Sequence, residues 1–123
     1  APRPARCVRH RCVADWRGSM YGTLARYRPL PGQERAVREY GRRWLRDRAP
    51  AVPGFVAAYV LTPKDRPGEL IALTLFASKA SYHQNAADPD EDRWYRQLRV
   101  LLADDPTWHD GEIVALEPAT VPL

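Results

Sequence analysis

Residues 55–77 read FVAAYVLTPKDRPGELIALTLFA, and this stretch decides the fold. It holds two strand-length runs, Phe55–Thr62 and Glu69–Ala77, rich in aliphatic and aromatic side chains. The joint between them, Pro63-Lys64-Asp65-Arg66-Pro67-Gly68, is turn chemistry, so the whole reads as a hairpin. In the second run Leu70, Ala72 and Phe76 alternate with Ile71, Leu73 and Leu75. In the first, Phe55, Ala57, Tyr59 and Leu61 alternate with Val56, Ala58 and Val60. Both faces of the hairpin are apolar, so both need cover.

Upstream, Tyr21–Arg28 alternates as a strand, with Tyr21, Thr23, Ala25 and Tyr27 on one face and Gly22, Leu24, Arg26 and Arg28 on the other. Pro29-Leu30-Pro31-Gly32 breaks it. Gln33 to about Arg48 has helical spacing, with Val37, Tyr40, Gly41, Trp44, Leu45 and Arg48 on one stripe. Its arginine-rich outer face interleaves acids (Glu34 with Arg38, Glu39 with Arg43) and reads as a solvated surface. Arg46 and Arg48 suit the negative end of the helix dipole.

Downstream, Ser78 caps a short helix ending at Asn85 or Ala87. Asp88-Pro89-Asp90-Glu91 starts another, through a capping carboxylate, a proline in the first turn and following acids. Trp94, Leu98, Leu101 and Leu102 mark its buried face, and Asp104-Asp105-Pro106 stops it. The last strand is placed at about Glu112–Leu116, before Pro118 and Pro122. The resulting order is βαββαβ: an α+β, ferredoxin-like domain with a four-stranded antiparallel sheet and its helices on one face. Helices on one side cannot cover both apolar faces, so the other face is expected to pack on a second copy by two-fold symmetry; a monomer with a wide ligand cleft on that face is the alternative.

The chain of 123 residues fits one domain. It divides into a disordered basic tail or non-native extension at 1–19, the domain at 20–118 and a short C-terminal tail at 119–123. Met20, just before the first strand, reads as a natural start. Apolar runs are strand-sized, which excludes a membrane helix. The net charge of +4 has a local origin. Residues 1–19 hold five arginines and Asp15, leaving 14 basic and 14 acidic residues of the chain's 19 and 15. The domain therefore carries no electrostatic footprint for nucleic acid. Cys7 and Cys12, with His10 between them, do not have zinc-site spacing, and a loop-closing disulfide would staple nothing in the core. Arginines interrupt any secretory h-region, and a cytoplasmic setting is expected.

Leu73-Thr74-Leu75-Phe76-Ala77-Ser78-Lys79, Trp94-Tyr95 and Asp105-Pro106-Thr107-Trp108-His109-Asp110-Gly111-Glu112 together resemble the antibiotic biosynthesis monooxygenase family, over Tyr21 to about Leu116. The resemblance implies a dimeric α+β barrel, with a pocket between helices and sheet in each subunit. It also implies oxygenation of a phenolic or quinone-like aromatic, or another small organic molecule, without metal or flavin. That chemistry needs a base or hydrogen-bond donor for a substrate anion and an apolar box around it. Haem-degrading members resemble a pattern of Asn on the first strand, Trp ending the third and His on the second helix. Here Ala25 and Arg26 stand near the Asn position and Phe76 replaces the Trp, so the pattern is not met.

Candidate site residues follow from this. His83, on a helix bordering the implied pocket, suits proton transfer near neutrality; the alternative is a surface histidine. Asn85 orients a substrate oxygen or ends its helix. Trp44 and Trp94 line an aromatic box or fill the core, as do Tyr40, Tyr59, Tyr82 and Phe76. Arg26, a charge within a strand, holds an anionic substrate or pairs with an acid. No nucleophile–base motif, phosphate loop, dinucleotide fingerprint or metal site is present. Two classes stay open: a small cofactor-independent oxygenase, and a non-catalytic dimeric ligand-binding or stress-related module on the same fold.

Overall fold

The structure, a computed structural model, describes residues 20–114 and the backbone of 5–8 and 11–14. Strand β1 (Ala5–Val8) pairs antiparallel with β2 (Arg11–Ala14), with Cys7 opposite Cys12 in the register. The side chains of both cysteines, and residues 115–123, lie outside the described residues. Met20, read above as a start residue, is 1% exposed and belongs to the core.

The domain follows as β3 (Tyr21–Tyr27), α1 (Glu34–Arg43), β4 (Phe55–Leu61), β5 (Leu70–Phe76), α2 (Lys79–Ala86), α3 (Pro89–Arg99) and β6 (Thr107–Glu112). The sheet order is β4-β5-β3-β6, antiparallel throughout. This is the ferredoxin-like α+β arrangement expected from the chain order. No helix among the described residues is long and apolar enough to cross a membrane.

Local chemistry accounts for the helices. Ser78 and Ser81 form a reciprocal capping box at the start of α2, with bonds of 3.1 and 3.2 Å. Asp88 caps α3 by accepting the Asp90 amide at 2.9 Å, with Pro89 in the first turn. Helix α1 buries Val37 and Tyr40, then widens into a π-helical turn over Trp44–Arg48 and a 3₁₀ turn over Ala49–Ala51. Leu45, placed on the core stripe by spacing, is 43% exposed. Gly54 has a φ of +77°, and a Cβ there would collide with Ser81, so the turn before β4 and the start of α2 fit only around glycine.

The last strand differs from expectation. It runs over Thr107–Glu112 instead of beginning at Glu112, and pairs with β3 from Arg26↔Thr107 to Tyr21↔Glu112. Its polar, glycine-containing sequence has no strand pattern because it forms one edge of the sheet, where backbone pairing with β3 defines it. A second departure is the irregularity between Phe55 and Ala57 in β4. Phe55 pairs with Phe76 and Ala57 with Leu75, so one extra residue reverses the alternation.

The core holds Val37, Tyr40, Leu70, Leu98 and Leu102, with Tyr27, Trp44, Trp94, Tyr95 and Leu101 packed against it. It lies between helices and sheet. On the opposite face, Leu24, Ile71, Leu73 and Leu75 are half-buried, and Tyr59 and Leu61 are 62% and 60% exposed.

Candidate functional site

The helix side of the sheet is built from one register row. Tyr21, Thr23, Ala25 and Tyr27 of β3 stand opposite Phe76, Thr74, Ala72 and Leu70 of β5 on one flank. On the other flank Tyr21, Thr23 and Ala25 face Glu112, Asp110 and Trp108 of β6. The paired Ala25 and Ala72 keep the middle of this surface low. Aromatic rings surround it: Tyr40 on Trp94 at 6.1 Å, Trp44 on Phe55 at 5.4 Å, and Tyr27 on Trp108 at 6.2 Å. Most are edge-to-face, the favoured geometry for quadrupolar rings. Burial pushes the Tyr27 phenol up to about 12, with Tyr95 and Glu91 adding to it, and raises the Tyr40 phenol as well. Both are neutral hydroxyls at physiological pH.

At the Tyr21 end of the row, two hydroxyls meet one carboxylate. Thr23 Oγ1 donates to Asp110 Oδ1 at 2.5 Å, and the Tyr82 hydroxyl donates to Asp110 Oδ2 at 2.6 Å. Thr23 and Asp110 are register partners, while Tyr82 reaches down from α2. Its ring packs on Phe76 at 5.5 Å and Tyr21 at 5.0 Å. Burial, and then the bond to Asp110, push the Tyr82 phenol up to about 12. Tyr82 is therefore a hydrogen-bond donor across the physiological range and not a base.

A second polar group joins the three helices. Arg48, 6% exposed, donates to Asn85 Oδ1 at 2.9 Å, Asp88 Oδ2 at 3.1 Å and Glu91 Oε2 at 3.2 Å. Trp44 Nε1 lies 3.2 and 3.1 Å from the two Glu91 oxygens. The turn at the end of α1 thus sets Trp44 and Arg48 on one carboxylate. Burial raises the Glu91 carboxyl above its ordinary value, against the lowering by Trp44, Arg48 and Asn85. Among the described residues no buried side-chain nitrogen or oxygen lacks a partner.

The residues singled out from sequence divide between these places. Tyr40, Trp44, Phe76, Tyr82 and Trp94 all contribute to the helix–sheet layer. Asn85 is buried as a partner of Arg48. His83 is exposed, with its ring 5.2 Å from Tyr82 and 6.2 Å from Tyr21. Arg26 and Tyr59 are exposed on the opposite face of the sheet, and the structure does not bring them to the others. For Arg26 strand alternation is the reason; for Tyr59 it is the β4 irregularity, which parts it from Phe55. Asp110 and Glu91 were missed as site residues. Asp110 lies between the helix stop at Pro106 and the last strand expected from Glu112, and Glu91 reads from sequence as a first-turn acid.

Two open hollows, of about 470 and 420 Å³, lie along the outer side of α1 beside Arg35, Arg38 and Arg42 and beside Thr62–Lys64. Neither is in the helix–sheet layer, where the family resemblance implies a pocket. Among the described residues no three of His, Cys, Asp and Glu converge as metal ligands.

Neither a protein-family model nor a curated protein matches the chain. Solved structures do match it. A protein from Chloroflexus aurantiacus, provisionally named an antibiotic biosynthesis monooxygenase, is 23% identical with a TM-score of 0.64, covering 80% of this chain and 97% of its own. A Caulobacter crescentus protein with the same provisional name is 15% identical with a TM-score of 0.69, covering 79% and 92%. SnoaB, a cofactor-independent oxygenase from Streptomyces nogalater, is 15% identical with a TM-score of 0.63, covering 83% and 100%. The chain thus has the ferredoxin-like α+β fold of the antibiotic biosynthesis monooxygenase proteins.

Proposed function

We propose that this protein is a small monooxygenase-type enzyme acting on an aromatic or other small organic molecule without metal or flavin. The observation that carries this reading is the Tyr82–Asp110–Thr23 group beside an aromatic-lined layer. A neutral phenol donor and a carboxylate acceptor lie side by side there. Tyr82, protonated up to about 12, can turn its one O–H from Asp110 onto a substrate oxygen that gains negative charge. Asp110 holds that O–H until the substrate takes it, and Thr23 satisfies the other Asp110 oxygen. Phe55 and Trp44, half-buried beside the fully buried Phe76, supply apolar, ring-shaped contact surface. The fold shared with SnoaB supports the reading.

Oxygen uptake by chelator-treated protein, with a panel of anthrones and quinols, tests it. The expected result is protein-dependent uptake that Tyr82→Phe lowers roughly 100-fold, the scale of losing one oxyanion donor. Uptake that requires added iron or flavin would overturn the cofactor-independent mechanism. No uptake across the panel would favour a non-catalytic ligand-binding module.

We also propose that a second copy covers the outer sheet face. Leu24, Ile71, Leu73, Leu75, Tyr59 and Leu61 make that face apolar on three adjacent strands. A two-fold sheet-to-sheet pairing would remove them from water together.

A further inference from the structure

We infer that Glu91 is the base that takes the acidic C–H or O–H proton of the substrate. The inference rests on the substrate class proposed above. Glu91 leaves the first turn of α3 and enters the layer between helices and sheet, where its carboxylate is held by Trp44 Nε1 and Arg48 Nε. Its side chain is 23% exposed, so it is reachable from outside while being largely withdrawn from water. A carboxylate has about four acceptor sites, so holding these donors does not exhaust it.

The charge around it favours uptake of a proton. Arg48 supplies one positive charge against two carboxylates, Asp88 and Glu91, within 3.1 and 3.2 Å. A proton arriving on Glu91 brings this set to neutrality. Of the two carboxylates, Glu91 is the more enclosed, since Asp88 is 37% exposed. Burial already holds the Glu91 carboxyl above its ordinary range, toward the values useful for a base at neutral pH. The other titratable groups near the layer are less suited. His83 and Asp110 are both exposed, whereas Glu91 is largely withdrawn from water.

The step is heterolytic. The substrate C–H or O–H bond breaks, its electron pair stays on the substrate as an enolate or phenolate, and the proton ends on a Glu91 oxygen. No electron is transferred, so the step can be followed without oxygen. Full-length protein is incubated anaerobically with anthrone in D₂O, and loss of the benzylic hydrogen signal is followed by NMR. Wild-type protein is expected to accelerate the exchange. Glu91→Gln, which still accepts from Trp44 and Arg48, should slow it about 100-fold, and Glu91→Asp, with its carboxylate drawn back, about 10-fold. Melting curves establish that the variants are folded; should Glu91→Gln fail to fold, Glu91→Asp decides. Wild-type rates in a folded Glu91→Gln or in Glu91→Asp overturn the assignment, as does wild-type protein that leaves exchange at the buffer rate. Exchange lost in Glu91→Gln, with no oxygen uptake by the wild type in air, keeps Glu91 as the base and overturns the oxygenase reading instead.

Discussion

Arg48→Met is expected to cost about 3 kcal/mol of folding free energy. The guanidinium is 6% exposed and bonds Asn85, Asp88 and Glu91 at 2.9, 3.1 and 3.2 Å, linking the end of α1 to α2 and α3. Methionine replaces most of the aliphatic stem, so the loss is one of charge and not of packing. Removing one partner of a buried ion pair costs about 3–5 kcal/mol because the other charge stays behind without its partner. The lower end applies because Asp88, 37% exposed, can rehydrate, and because Glu91 keeps its bond from Trp44. At about 4–8 °C per kcal/mol for a domain of this size, the melting temperature should fall by about 12–24 °C. Urea unfolding followed by tryptophan fluorescence measures the loss, and a cycle with Glu91→Gln isolates the charge component of the pair. The expected coupling is about 1.5 kcal/mol or more. A loss below about 1 kcal/mol, or a coupling near zero, would refute the view that this ion pair joins the helices.

Three further outcomes follow from the same geometry. Asp110→Asn should bring the Tyr82 phenol down from about 12 toward 10, though not all the way, because burial is the larger cause; ultraviolet titration near 295 nm reads this. An acid whose folded value is raised costs stability once the unfolded chain ionises, so the alkaline decline beginning near pH 10 should weaken in that variant. The same sign applies to Glu91. Its folded carboxyl keeps a proton at pH values where the unfolded chain has released it, so stability falls as pH rises from about the ordinary 4.5 through the raised value. Glu91→Gln should flatten that fall in urea titrations at stepped pH, and an unchanged slope would mean that Glu91 is not raised. Finally, light scattering at micromolar concentration should report twice the 14.0 kDa chain mass, and Leu73→Glu should return the monomer. A wild-type monomer would refute the sheet-to-sheet pairing.

Much of the architecture is local and therefore legible. The alternation in β3 and β5, the capping serine of α2 and the Asp88-Pro89 start of α3 each specify backbone conformation within a few residues. Two elements were not legible, each for a physical reason. The strand β6 has a polar sequence because it is an edge strand, and its pairing with β3 is set by residues far away in the chain, as for Thr23 and Asp110 at a separation of 87. The irregularity at Phe55–Ala57 moves Phe55 to the helix side while Tyr59 stays outside, and no parity rule anticipates an inserted residue.

For the site the division is sharper. The sequence by itself determined which side chains were available: a set of aromatics at helix and strand spacing, and short-range capping acids. Only the tertiary structure decided which of those acids face one another, because Arg48 meets Glu91 across 43 residues and Tyr82 meets Asp110 across 28. Periodicity reports the face on which a residue lies relative to its own element. The chemistry of a carboxylate depends on what other elements place beside it, and burial together with an arginine or a phenol turns a first-turn acid or an edge-strand aspartate into part of a candidate site.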